Sequence, residues 1–253
     1  RNKAIGIRGI LDSHGIHVDH KNINTFIQYN YMEDCEGGFV EILGGNETAV
    51  YRFNISVNDG WRDNPNWKNS NHTIWLNDKI GGDEGYSSNN SYIYNNTIII
   101  NRSNNPYQTA IDLKANNTRV FNNIFYSVNG SSIGSKQVNV NDDNLYMTNN
   151  LFYGSIDNRF INIDTNPIDQ NPDFYNENLG NEKGFQLLKE SGAINNGTSF
   201  SGNFSHPPIP TNESVIFSNV ESIPSVDFFG HSLNTNSTPN VGASNAKNGE
   251  IIN

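Results

Sequence analysis

The sequence predicts an all-β chain wound as a parallel β-helix, and three observations predict it. First, a phrase closing on asparagine recurs at Asn30, Asn54, Asn96, Asn123 and Asn150, spaced 24, 42, 27 and 27 residues apart. A base period in the twenties with insertions marks a solenoid. Second, each asparagine is preceded by a β-prone run and followed by another. Tyr92-Ile-Tyr leads to Asn96 and Thr97-Ile-Ile-Ile100 leaves it, and Phe121 and Tyr146 stand in runs of the same kind. Third, no ten-residue stretch has helical periodicity, and no capping box precedes an apolar face. Strands joined by turns remain, each pairing with its equivalents one coil away at about 4.8 Å.

The asparagines have a physical reason to recur. At a tight turn asparagine tolerates left-handed φ, and its amide can bond the asparagine of the next coil, which builds a ladder.

The coils follow in order. Coil one runs from Gly15 to about Gly37, with Ile16 and Val18 inward and His17 and Asp19 outward by alternation. In coil two, Val40 and Ile42 point in and Phe39 and Glu41 out. In coil three, Ile74 and Leu76 point in and Trp75 and Asn77 out. Coil four buries Ile111 and Leu113 and exposes Asp112 and Lys114. Coil five, Ser132 to Gly154, is polar in its first strand and leaves its register open.

Counting back from the ladder asparagines, with two extra residues assigned to Gly44-Gly45, gives one outward column of Asp19, Glu41, Trp75 or Asn77, and Asp112. A neighbouring column then begins with His17 and Phe39. Residues 1–199 form the β-helix on this reading. Residues 200–253, with Pro207-Pro208 and Pro210, form an extended tail packing along the solenoid or over its end.

Beyond the coil phrases, Asn171-Pro-Asp-Phe174, Gly184-Phe-Gln-Leu-Leu188, Ser191-Gly-Ala-Ile-Asn-Asn-Gly197, Asp227-Phe-Phe-Gly230 and Pro239-Asn-Val-Gly-Ala243 stand out. Together they resemble exported right-handed parallel β-helix proteins of the pectate-lyase-like superfamily. Gly192 and Asn195 replace the proline and aspartate usual in the penultimate motif. The resemblance implies a right-handed solenoid and an extracellular or cell-surface setting. The superfamily holds lyases, glycosidases, epimerases, tailspikes and adhesins, so it does not select one activity.

Composition narrows the partners. A net charge of −10 and a pI near 4.9 argue against nucleic acid or an anionic membrane as partner. No apolar run approaches the ~18 residues of a membrane span. Cys35 is the only cysteine, which excludes an internal disulfide framework, and it reads as a packed small hydrophobe. Twelve Asn-x-Ser/Thr sequons occur, of which Asn54 and Asn95 fall on the ladder turn and are expected to be too enclosed for a glycan. The chain opens without a signal peptide or capping helix, which predicts missing upstream sequence or a second molecule, such as another subunit, over the coil end.

The chemistry expected of the outward face is that of paired carboxylates. Asp19 and Glu41 on adjacent coils would lie about 5 Å apart at their roots and divide into an acid and a base, as glycoside hydrolysis requires. Asp112 offers a wider pairing, and His17, with His14 nearby, an orienting group or proton shuttle. Two insertions, 58–67 and 78–86, would wall the face into a cleft for a polysaccharide or oligosaccharide. Trp61, Trp67, Trp75 and Tyr86 would be stacking platforms, Arg62 a clamp for a uronate or sulfate, and Lys114 a further substrate contact. Asp78, Asp83 and Glu84 offer oxygens for Ca²⁺, without an EF-hand spacing; no other cofactor is implied.

Three functions follow. The first is a glycosidase with Glu41 and Asp19 as the acid/base pair. The second is a polysaccharide lyase or epimerase, with His17 or Lys114 removing a proton. The third is a non-catalytic adhesin or assembly subunit.

Overall fold

The structure is a computed structural model that describes residues 1–9, 13–62, 71–77, 85–199, 224–233, 237–246 and 249–252. The β-prone runs become sixteen strands: β1 Lys3–Ile5, β2 Val18–Asp19, β3 Ile23–Gln28, β4 Tyr31–Glu33, β5 Gly38–Leu43, β6 Glu47–Arg52, β7 Ile55–Val57, β8 His72–Asn77, β9 Asn89–Tyr94, β10 Thr97–Asn101, β11 Gln108–Leu113, β12 Arg119–Phe121, β13 Ile124–Val128, β14 Ser132–Val140, β15 Tyr146–Thr148 and β16 Leu151–Gly154. They stack into three sheets, all parallel. Sheet 1 is β2-β5-β8-β11-β14, sheet 2 is β3-β6-β9-β12-β15, and sheet 3 is β1-β4-β7-β10-β13-β16. The chain is a parallel β-helix.

Alternation fixes what each sheet buries. Val18, Ile42, Leu76 and Leu113 from sheet 1, Ala49, Ile93 and Val120 from sheet 2, and Met32, Ile98, Phe125 and Phe152 from sheet 3 share one core. Helix α1, Asn158–Ile161, drives Phe160 into this core against Phe125 and Phe152. Phe39 was expected outward and is instead buried, its ring edge-on to Tyr51. The left-handed backbone of Gly38 immediately before it breaks the simple alternation.

Sheet 3 is apolar on its outer face as well, because the C-terminal segments cover it. Tyr31, Ile55, Ile99, Ile124 and Leu151 pack against Phe185, Leu187, Ala193, Phe228, Val241 and Ala243. Asp227 anchors the covering turn: its carboxylate accepts from the backbone N–H of Phe229, Gly230 and His231 and faces His231 Nδ1 at 2.7 Å. That hydrogen bond raises the His231 pKa.

The corner between sheets 2 and 3 carries the ladder. Asn30 donates to Asn54 Oδ1, Asn54 to Asn96, Asn96 to Asn123, and Asn123 to Asn150, at 2.9–3.1 Å. Each Oδ1 also accepts the backbone N–H of the preceding rung's asparagine, and Nδ2 groups reach carbonyls such as those of Ile27 and Tyr51. Two rungs escaped the sequence: Asn2 begins the run and Asp164 ends it. One detail differs from expectation. The left-handed residue is the one before each ladder asparagine (Tyr29, Phe53, Asn95, Asn122, Asn149), which frees the asparagine side chain to turn inward.

Candidate functional site

The register of sheet 1 decides which outward side chains meet. Val18 pairs with Ile42 and Asp19 with Leu43, so His17 belongs beside Glu41. Glu41 pairs with Trp75, and Trp75 with Asp112, which in turn pairs with Asn139 of β14. The column is therefore His17, Glu41, Trp75, Asp112. Asp19 falls in the next column, with Leu43 and Asn77, and the expected Asp19–Glu41 stack does not form. Coils one and two are of equal length, so the two residues assigned to Gly44-Gly45 are no insertion.

Two imidazole–carboxylate pairs result. Glu41 is wholly buried, with His14 Nδ1 directly against its Oε2 and His17 Nδ1 3.6 Å away. Tyr51 fixes the backbone beneath, its hydroxyl donating to the carbonyls of Glu41 and Ile16. In the second pair, His72 Nε2 lies 3.5 Å from Asp112 Oδ2, Gln137 Nε2 donates to Asp112 Oδ1 at 2.8 Å, and Lys114 Nζ stands 3.9 Å from Oδ2. Burial is the largest influence on the Asp112 carboxyl and pushes its pKa up. His72, Gln137 and Lys114 together outweigh it and leave the pKa below the ordinary value.

Trp75 sits between the pairs. Its ring stacks on His72 at 5.1 Å and 14°, and its centroid is 6.2 Å from His14. His72 and Gln137 are the members sequence reasoning missed. His72 shares the parity of inward Ile74, but the sheet register shifts between Ala110 and Ile111, opposite the start of β8. Gln137 belongs to the polar strand whose register could not be fixed.

The cluster is short of hydrogen bonds. Both oxygens of Glu41, both ring nitrogens of His14 and of His72, and Trp75 Nε1 are enclosed and have no aligned partner among the described residues. Buried polar groups are normally paired, so a concentration of unpaired ones on one wall needs an explanation.

Other predicted members lie elsewhere. Arg62 is buried and donates from Nη1 to the carbonyl of Gly9 and to Ser13 Oγ, pinning that segment; it does not face the Trp75 column as a clamp. Trp61 lies between Arg8 and Arg102, whose guanidinium carbons are 4.8 and 4.6 Å from its ring, and so serves as a packing core for them. Tyr86 is exposed beside the Gly45 turn, with Lys21 over its ring. Trp67, Asp78, Asp83 and Glu84 lie outside the described residues, as do half of the insertion 58–67 and most of the insertion 78–86. Among the described residues no group of three or more His, Cys, Asp or Glu is arranged to hold a metal ion, and no helix is long and apolar enough to cross a membrane.

Cys35 is buried, its thiol pushed up to about 12 by burial and then by Asp59, which accepts from the Cys35 backbone N–H. The ladder sequons Asn54 and Asn95 are also buried. In comparisons with known proteins, no family model and no curated protein matches this chain.

Proposed function

We propose that the chain binds a polysaccharide across the outer face of sheet 1 and hydrolyses it, with Asp112 and Glu41 as the carboxylate pair. The observation that carries this reading is the arrangement of two carboxylates, each facing an imidazole, on either side of Trp75. Their strands are two spacings apart, roughly 9–10 Å between backbones. A backbone spacing of that size leaves room for the wider carboxylate geometry, in which a water is activated opposite the leaving group. Asp112, held ionised, suits the base. Glu41 is sealed from solvent, so it acts through His17, whose side chain is 37% exposed and within reach of its carboxylate. Trp75 supplies the apolar platform between them.

The resemblance to pectate-lyase-like proteins agrees with this reading, and a polymeric substrate implies an extracellular setting. Elimination is less well supported, because Arg62 is engaged by Gly9 and Ser13, and among the described residues no arginine is paired with the column carboxylates.

The test is turnover on a panel of neutral and acidic polysaccharides. Asp112→Asn and Glu41→Gln should each lower the rate by about 10²–10⁴-fold, the usual worth of a positioned acid or base. Asp19→Asn should leave it unchanged. Unaltered turnover in both column variants would overturn the assignment.

A further inference from the structure

The Asn171-Pro-Asp-Phe174 motif takes no part in the sheet 1 site, yet it builds one wall of a cavity of about 390 Å³ on the outer face of sheet 3. Tyr126 of β13 and Tyr153 of β16 are register partners and stack at 5.3 Å and 14°. Phe174 meets Tyr126 edge-on at 5.6 Å and is itself braced by Phe185. The remaining lining is Asn171, Asp173, Asn176, Glu177 and Asn178.

The wall is rigid. Leu188 donates to the carbonyl of Asp173, Tyr175 to that of Gln186, and Asn176 to that of Gly184, so the segment is laced to its neighbour. Asn171 Oδ1 accepts from the Asp173 backbone N–H and Asn176 Oδ1 from that of Asn178. The oxygens are thus used within the loop, and the Nδ2 groups donate to no described residue.

Glu177 gives the second indication. Burial, then the neighbouring Glu177 carboxylate, pushes the Tyr126 phenol well up, so that hydroxyl stays protonated. Glu177 Oε2 is enclosed and has no aligned partner among the described residues. Glu177 lines the cavity with Asp173, so the pair offers carboxylate acceptors there.

We infer that this cavity is a second binding site, for a neutral hydroxyl-rich saccharide. Two carboxylates supply acceptors, three amides supply donors, the paired phenols and Phe174 supply apolar edges, and no lysine, arginine or histidine lines the cavity. Sugar hydroxyls satisfy both kinds of polar group, whereas a uronate or sulfate would meet Asp173 and Glu177 as like charges. The site shares no residue with the sheet 1 column, and its test does not depend on turnover.

Titration calorimetry with glucohexaose, mannohexaose, xylohexaose and hexagalacturonate, in the Asp112→Asn background, reads the site directly. At least one neutral hexasaccharide should bind saturably. Glu177→Gln and Tyr153→Ala should each weaken that binding at least tenfold, with the melting temperature of Glu177→Gln kept near that of the parent to exclude unfolding. No binding by any neutral probe, binding indifferent to both substitutions, or equal binding of hexagalacturonate through Glu177 would each overturn the inference. Failure of the unsubstituted chain to hydrolyse any polysaccharide, with this binding intact, would count against the sheet 1 reading alone.

Discussion

The asparagine corner and the sheet 1 column are both stacks of buried polar side chains, one per coil, and they are built in opposite ways. On the corner every rung from Asn30 to Asn150 gives and receives: Asn96 alone takes two N–H groups from Asn54 and donates to Tyr51 and Asn123. On the column Glu41, His14 and His72 are equally buried, but their polar atoms meet in imidazole–carboxylate contacts, His14 against Glu41 and His72 3.5 Å from Asp112, and not in aligned hydrogen bonds. A satisfied stack costs little and holds the coils in register. A stack without such aligned bonds lacks a term of about 1–3 kcal/mol for each buried group left unpaired. The difference separates the ladder that holds the coils in register from the column on which the proposed function rests.

The largest expected effect is on the corner. Asn96→Ala removes both hydrogen bonds donated by Asn54 and strands its backbone N–H, so it should cost about 3 kcal/mol or more. For a chain of this size that lowers Tm by about 6–12 °C, measurable by calorimetry. A loss under 1 kcal/mol would erase the contrast between the two stacks.

A smaller effect is expected at Asp59, buried below the corner that follows sheet 3. Burial chiefly raises its carboxyl to about 7, against the pull of Ser56 and the Cys35 backbone. A folded-state pKa above the unfolded value means that the native state binds the extra proton. Stability from this group is full below about pH 4 and is lost as pH rises through about 7. Asp59→Asn should therefore raise Tm at pH 8 and leave it nearly unchanged at pH 4; equal shifts at both would refute the assignment. Asp112 has the opposite sign. Its lowered pKa contributes stability above the unfolded value that is lost in acid, so Asp112→Asn should flatten the low-pH limb of the Tm profile.

The smallest effect sharpens the comparison most. Glu41→Gln replaces a buried carboxylate that faces the His14 and His17 rings by an amide of the same shape, so Tm should hold or rise slightly while turnover falls. A marked drop in Tm would show Glu41 to be a structural member like the asparagines.

Much of this fold was legible because a solenoid repeats its hydrogen bonds once per coil. The asparagine spacing and the inward pairs Ile74/Leu76 and Ile111/Leu113 were readable from single strands. The column was only half legible. Glu41, Trp75 and Asp112 fell together, but a supposed two-residue insertion at Gly44-Gly45 moved Asp19 in and His17 out. Applying the 24-residue spacing of Asn30 and Asn54 without that insertion pairs His17 with Glu41, as observed. His72 and Gln137 were hidden for another reason. Both stand beside register shifts, where alternation along one strand no longer predicts direction.

Asp164 at the last rung has a consequence of its own. Along the corner each Nδ2 points toward the following coil, so the run of amides has a direction. A carboxylate has nothing to hand on: Asp164 receives from Asn150 and, while ionised, cannot offer a proton to any successor. Replacing it with asparagine would restore the missing donor and turn a terminus into a template, leaving an open socket where the winding now stops.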